Sequence, residues 1–270
     1  SKNGFKSAYN LYFKNLNTVA KNDSIYKTNP QMELMSIFEF NTSLPLINQT
    51  KNSTNYFTPM ASLRLNPGDM KDYSSSDRSV NVSSIFDINR LAIDDSFEEG
   101  KSLTFGFDYK KTTLNDINKF FKAKIATVYR DKKEEFIPIT SGISDKDLNI
   151  FGSISNNLSD FLTVSYDFIM DDDLNSLKYN SLKTSIAFKN FNTTFNFIEE
   201  NGVIGDTNIL ENNTTLKFDD ANLFTFNTRR NKKIDLTEYY NLIYEYKNDC
   251  LIAGIKYKKS YYEDRDLKPS

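Results

Sequence analysis

The sequence predicts an all-β chain, an antiparallel up-and-down transmembrane β-barrel present in part, with roughly 13–14 strands of a larger barrel of about 26. Three observations predict it. Apolar and polar side chains alternate with period two along most of the chain, the pattern of strands with one apolar and one polar face. The alternating runs reach about 10 residues, long for a soluble sandwich but suited to a tilted strand crossing a bilayer. Tight turns and longer polar connections then follow one another in strict alternation. In a simple meander that places every short turn on one rim and every long loop on the other, the asymmetry of outer-membrane barrels.

Taken in order, Phe38 and Phe40 alternate with Glu39 and Asn41, and Leu63 and Leu65 with Arg64 and Asn66 ahead of a Pro67-Gly68 turn. Leu103, Phe105, Phe107 and Tyr109 oppose Ser102, Thr104, Gly106 and Asp108, and Phe121, Ala123, Ile125 and Tyr129 oppose Lys122, Lys124 and Arg130. Leu162, Val164, Tyr166 and Phe168 oppose Thr163, Ser165 and Asp167; this row is expected to face outward, away from any protein core. Leu182 and Ile186 oppose Lys183 and Ser185, and Phe191, Phe195 and Phe197 oppose Asn192, Thr194 and Asn196. The last hairpin sets Tyr240, Leu242, Tyr244 and Tyr246 against Asn241, Glu245 and Lys247, turns at Asn248-Asp249, and returns through Leu251, Ala253, Ile255 and Tyr257. Tight turns fall at 112–118, 157–160, 190, 219–222 and 248–249, and long connections at 131–146, 171–177, 201–211 and 229–236. Neighbouring strands are expected to pair in order, with an open seam.

Composition removes several function classes. With 34 basic against 36 acidic residues the net charge is -2, so no field for nucleic acid is present. Histidine and tryptophan are absent, which rules out histidine triads and histidine metal sites; 16 tyrosines and 22 phenylalanines are left to form an aromatic girdle. No enzyme activity, metal or other cofactor is expected. No apolar run approaches the roughly 20 residues of a membrane helix. The single cysteine, Cys250, cannot staple the chain to itself, so it is a free thiol or its partner lies outside the chain. Residues 1–270 read as one partial barrel domain, a fragment of something longer.

The run 62–109 carries Ile85-Phe86, Asn89-Arg90, Glu98-Glu99-Gly100 and Thr104-Phe105-Gly106-Phe107-Asp108-Tyr109, and the end of the chain carries 244–251 and 262–269, including Asp249, Asp264 and Pro269. These blocks, in this order, resemble the C-terminal barrel of the lipopolysaccharide-assembly family LptD, also called OstA. The resemblance implies an outer-membrane translocon that inserts lipopolysaccharide into the outer leaflet. It implies a lateral opening, a plug lipoprotein of the LptE type in the lumen, and a periplasmic bridge that delivers lipid through an N-terminal jelly-roll. On this resemblance the jelly-roll, the first strands and the last strand are expected to lie outside this chain. It also implies that Cys250 forms a disulfide to a partner outside the chain, and it marks Phe86, Asn89, Arg90, Glu99, Gly100, Gly106, Asp249, Asp264 and Pro269 as motif residues without a stated role. A general porin or uptake barrel is the first alternative, and a soluble β-rich binding or adhesion protein the second.

The remaining polar groups each carry two readings. Arg90 is either a planar fork for a lipid phosphate or one side of a structural salt bridge in the lumen. Glu98-Glu99 has the composition of a glycosidase pair, yet adjacent strand residues point to opposite faces, which favours a charge pair leading into a strand. Asp171-Asp172-Asp173 could hold a divalent cation, but lacks the glycine and distal glutamate of an EF-hand loop and reads as a solvated loop.

Overall fold

A computed structural model describes residues 4–23, 27–146 and 148–261. It holds fourteen strands in one sheet. They are β1 (Lys6–Thr18), β2 (Gln31–Ser43), β3 (Leu46–Gln49), β4 (Ser53–Asn66), β5 (Gly100–Thr113), β6 (Asp116–Tyr129) and β7 (Ile150–Ser159). Then follow β8 (Leu162–Met170), β9 (Leu177–Ala187), β10 (Phe191–Glu200), β11 (Thr207–Lys217), β12 (Asn222–Asn231), β13 (Leu236–Lys247) and β14 (Ile252–Ser260). Each pairs antiparallel with its neighbour in sequence, so the sheet is an up-and-down meander. It does not close: β1 and β14 are its two edges, and β14 is exposed along its whole length.

The one departure from simple order is β3, which pairs β4 alongside β2. Ser43 faces Met60 and Leu46 faces Phe57, so both strands hold one register on β4. The interruption falls at Pro45, near Pro59 on the other strand, because proline has no N–H to donate to a ladder. Leu44 bridges the gap by donating its N–H to the Pro59 carbonyl at 3.0 Å.

Tight turns after β3, β5, β7, β9, β11 and β13 lie on one rim, and the connections after β1, β4, β6, β8, β10 and β12 lie on the other. The short turns are made by side chains that imitate backbone. Asp219 Oδ1 accepts the Ala221 and Asn222 amides, both at 2.8 Å, and Asn248 Oδ1 accepts those of Cys250 and Leu251 at 3.0 and 2.8 Å.

Register fixes the two faces. Tyr9, Phe40, Leu63, Leu103 and Tyr129 stand opposite one another in turn across five strands, giving an apolar cross-strand row. Tyr9 and Phe40 meet with ring centroids 4.6 Å apart. Leu162, Val164, Tyr166 and Phe168 lie on this open face and are half-buried by their neighbours in the sheet. The apolar core uses Ile169, of the opposite parity.

That core lies on the other face. Residues 67–99, between β4 and β5, fold back over the sheet with the connection 130–149 and the tip at Ile204. Val80, Val82, Ile85, Leu91 and Ile93 of the insertion, with Ile137 and Ile143, bury against Ala126, Val128, Phe151 and Ile169 of the strands. Burying each aliphatic side chain contributes about 1.5–3 kcal/mol. The 131–146 connection was expected only as a loop; its backbone is tied into the insertion, with the Tyr73 N–H donating to the Phe136 carbonyl at 3.1 Å.

Candidate functional site

The polar residues of the covered face converge beneath the insertion. The ladder puts Glu39 opposite Arg64, Arg64 opposite Ser102, and Ser62 opposite Thr104, so alternation delivers these side chains to one side of the sheet. The insertion brings Arg90 and Glu98 to them, and the start of the next connection brings Arg130. All three arginines and both glutamates are buried.

Glu98 is the hub. Arg90 Nε donates to its Oε2 at 2.6 Å, and Arg90 Nη2 and Arg130 Nη2 both donate to its Oε1. The remaining Arg90 donors reach Thr104 Oγ1 and Ser102 Oγ, each at 3.0 Å. Arg130 Nε donates to the Ile143 carbonyl at 2.6 Å and its Nη1 to the Glu99 carbonyl at 3.1 Å. Arg64 pairs with Glu39 at 3.1 Å and donates to the Asp87 carbonyl at 2.7 Å. Burial pushes the Glu98 carboxyl up, but Arg90, Arg130 and Arg64 together outweigh that and hold it well below the ordinary carboxylate range. Glu99, next in sequence, points elsewhere: its two oxygens accept the Met70 and Phe136 amides at 3.4 and 3.3 Å, and burial raises its carboxyl above the usual range.

Chemically this is a clamp. Arg90 is the structural salt bridge of its two readings, with its guanidinium spent on Glu98, hydroxyls and a carbonyl. Glu98 and Glu99 address different partners, so they do not form a facing carboxylate pair for hydrolysis. In the triple aspartate, Asp171 Oδ1 accepts the Asn175 and Ser176 amides at 3.0 Å and Asp173 accepts from the Asn175 side chain. Among the described residues no group of three metal-ligating side chains is assembled.

The other motif residues serve the same clamp or stand apart from it. Phe86 is half-buried against the insertion's core, and Asn89 caps a turn, its Oδ1 accepting the Ile93 amide at 2.8 Å. Gly100 has φ +78, and a Cβ there would overlap the Glu134 carboxylate. A Cβ on Gly106 would lie 2.5 Å from the Ile125 carbonyl oxygen and 2.8 Å from Ala126 Cβ. Backbone cannot swing aside as a side chain can. Gly106→Val is therefore expected to cost about 1–3 kcal/mol by overpacking. Gly254→Val, where the nearest atom is 3.4 Å away, is expected to cost little; urea unfolding of both variants measures the difference, and equal losses would refute the close-approach reading. Asp249 and Cys250 are exposed in the β13–β14 turn, and Cys250 is a free thiol. Asp264 and Pro269 lie outside the described residues.

Glu39, Arg64 and Arg130 carried the right parity in the sequence without any sign that they would be buried; only a charged residue on a face that the chain itself covers has this fate. Among the described residues no helix is long and apolar enough to cross a membrane, which leaves strands untouched as a means of crossing. No known family model matches the chain, and no curated protein matches it at a significant level.

Proposed function

We propose that this chain is part of the wall of an outer-membrane barrel of about 26 strands, of the LptD (OstA) type, that inserts lipopolysaccharide into the outer leaflet without enzymatic chemistry. One observation carries the reading: all tight turns share one rim and all long connections the other, in a meander whose uncovered face is largely apolar from β1 to β8. On this reading the long-loop rim is extracellular and the short-turn rim periplasmic. The motif block 85–109 supports it further, since it supplies Arg90 and Glu98 of the clamp and most of β5 together. A general diffusion porin needs an open lumen, and the insertion over the lumen face disfavours that alternative. Among the described residues no insertion lies over the inner wall from β12 to β14, which leaves room for an LptE-type lipoprotein. The periplasmic bridge would deliver lipid from beneath the short-turn rim.

Depletion of the protein in the producing cell tests this. Surface lipopolysaccharide, read with a membrane-impermeant glycan label, should fall while uptake of small hydrophilic solutes is unchanged. Normal lipopolysaccharide with lost solute uptake would favour the uptake barrel, and recovery outside the membrane fraction would favour the soluble alternative.

On the same reading Cys250, at the periplasmic rim in an oxidising compartment, bonds to a cysteine outside this chain. Cys250→Ser is expected to change the migration of the full-length protein on a non-reducing gel. An unchanged pattern, with Cys250 open to a thiol reagent in intact protein, returns it to a free thiol.

A further inference from the structure

We propose that the cavity between the insertion and strands β8–β10 binds an extended organic polycation of the polyamine class, a site that does not depend on the membrane reading. The cavity measures about 770 Å³, within the range of small-molecule sites. Its two walls are anchored separately. One is the segment 77–83, which runs into a turn capped by Asn81 and in which Val80 and Val82 are buried in the core while Asp77, Ser79, Asn81 and Ser83 are exposed. The other is the sheet, through Asp167, Tyr179 and Glu200, bordered at the rim by buried Ile204 and exposed Asp206. Ile169 and Ile204 extend the apolar core to the cavity floor.

Charge gives the ligand class. Four carboxylates line the cavity, from Asp77, Asp167, Glu200 and Asp206, and no lysine or arginine is among the described lining residues. Two are already engaged: Asp206 pairs with Lys233 and Glu200 accepts the Thr207 hydroxyl. Asp77, on the insertion, and Asp167, on β8, make no ion pair among the described residues. The carboxylates do not gather into a metal-binding group. A point cation therefore has no assembled shell, whereas a flexible chain of methylenes with ammonium groups at intervals can lie on the apolar floor and reach carboxylates on both walls.

Spermidine is the probe, titrated calorimetrically into the folded full chain at physiological ionic strength, with magnesium chloride as control. The expected result is saturable binding of one spermidine per chain, with no comparable signal from magnesium. Affinity should fall about tenfold or more in Asp77→Asn/Asp167→Asn. Ser79→Trp keeps every charge and fills the space, so it should also abolish binding; circular dichroism checks that each variant is folded. Should the double variant fail to fold, the tryptophan variant decides alone. Undiminished binding in Ser79→Trp, an equal response to magnesium, or no binding to the wild type each overturns the proposal.

Discussion

Glu98→Gln is expected to lower the unfolding free energy by about 3–5 kcal/mol, the loss that follows when a buried ion pair is broken from one side. The substitution keeps the shape of the side chain and removes its charge. Arg90 and Arg130 would then lie in a buried site with no anion between them, and Arg64 would lose a neighbour that its own Glu39 does not replace. The effect should be concentrated where the clamp acts. Hydrogen exchange should rise in 67–99 and 130–149, while the hairpins from β9 to β14, which share no contact with Glu98, keep their protection.

The pH dependence follows from the direction of the shift. Glu98 is depressed in the folded chain, so its contribution is fully present above the unfolded value of 4.5 and is lost as pH falls through the lower folded value. Wild type and variant should differ by the whole amount at neutral pH and converge only in strong acid. A loss below about 1 kcal/mol, or unchanged exchange in the insertion, would show that the insertion is held by its apolar core alone.

The strands were legible because a sheet with one apolar and one polar face writes a period of two into the chain. Phe105 and Phe107 against Thr104 and Gly106 needed no tertiary information. The turns were legible for the same local reason, since Asp219 and Asn248 satisfy amides two and three residues on. The insertion was not. Met70, Val80, Val82, Ile85, Leu91 and Ile93 follow no single period, and the short alternation from Ser79 to Ser83 makes no ladder, so nothing local announces a core. The resemblance singled out Phe86, Arg90, Glu99 and Gly100 as a block while leaving their task unstated. What they do depends on Arg130, which comes after two further strands. A polar face also looks alike in sequence whether water or the chain itself covers it: Thr104 is buried by Arg90, whereas Lys256 and Lys258 of β14 are exposed.

Phe107→Arg is expected to cost about 2–4 kcal/mol more than Phe107→Ala when the protein is unfolded from lipid vesicles, the depth-dependent cost of an arginine on a barrel's lipid face. Phe107 lies midway along β5 on the open face, between Pro59 and Ile125 of the adjoining strands, with its ring centroid 5.5 Å from that of Phe57. Both substitutions remove that ring contact, so the loss of packing is common to the two and cancels in the comparison. What remains is the charge. Asp108 and Lys124, on the opposite face, already form an ion pair at 3.2 Å one residue away, so the local backbone tolerates charge where water or protein receives it. If lipid meets the open face, the arginine must desolvate or stretch to the interface, and it is worse than alanine. If water meets it, the long side chain lies along the surface with its guanidinium hydrated, and it is no worse. Equal stability of the two variants in vesicles would therefore refute the membrane reading while leaving the meander, the clamp and the cavity as they stand.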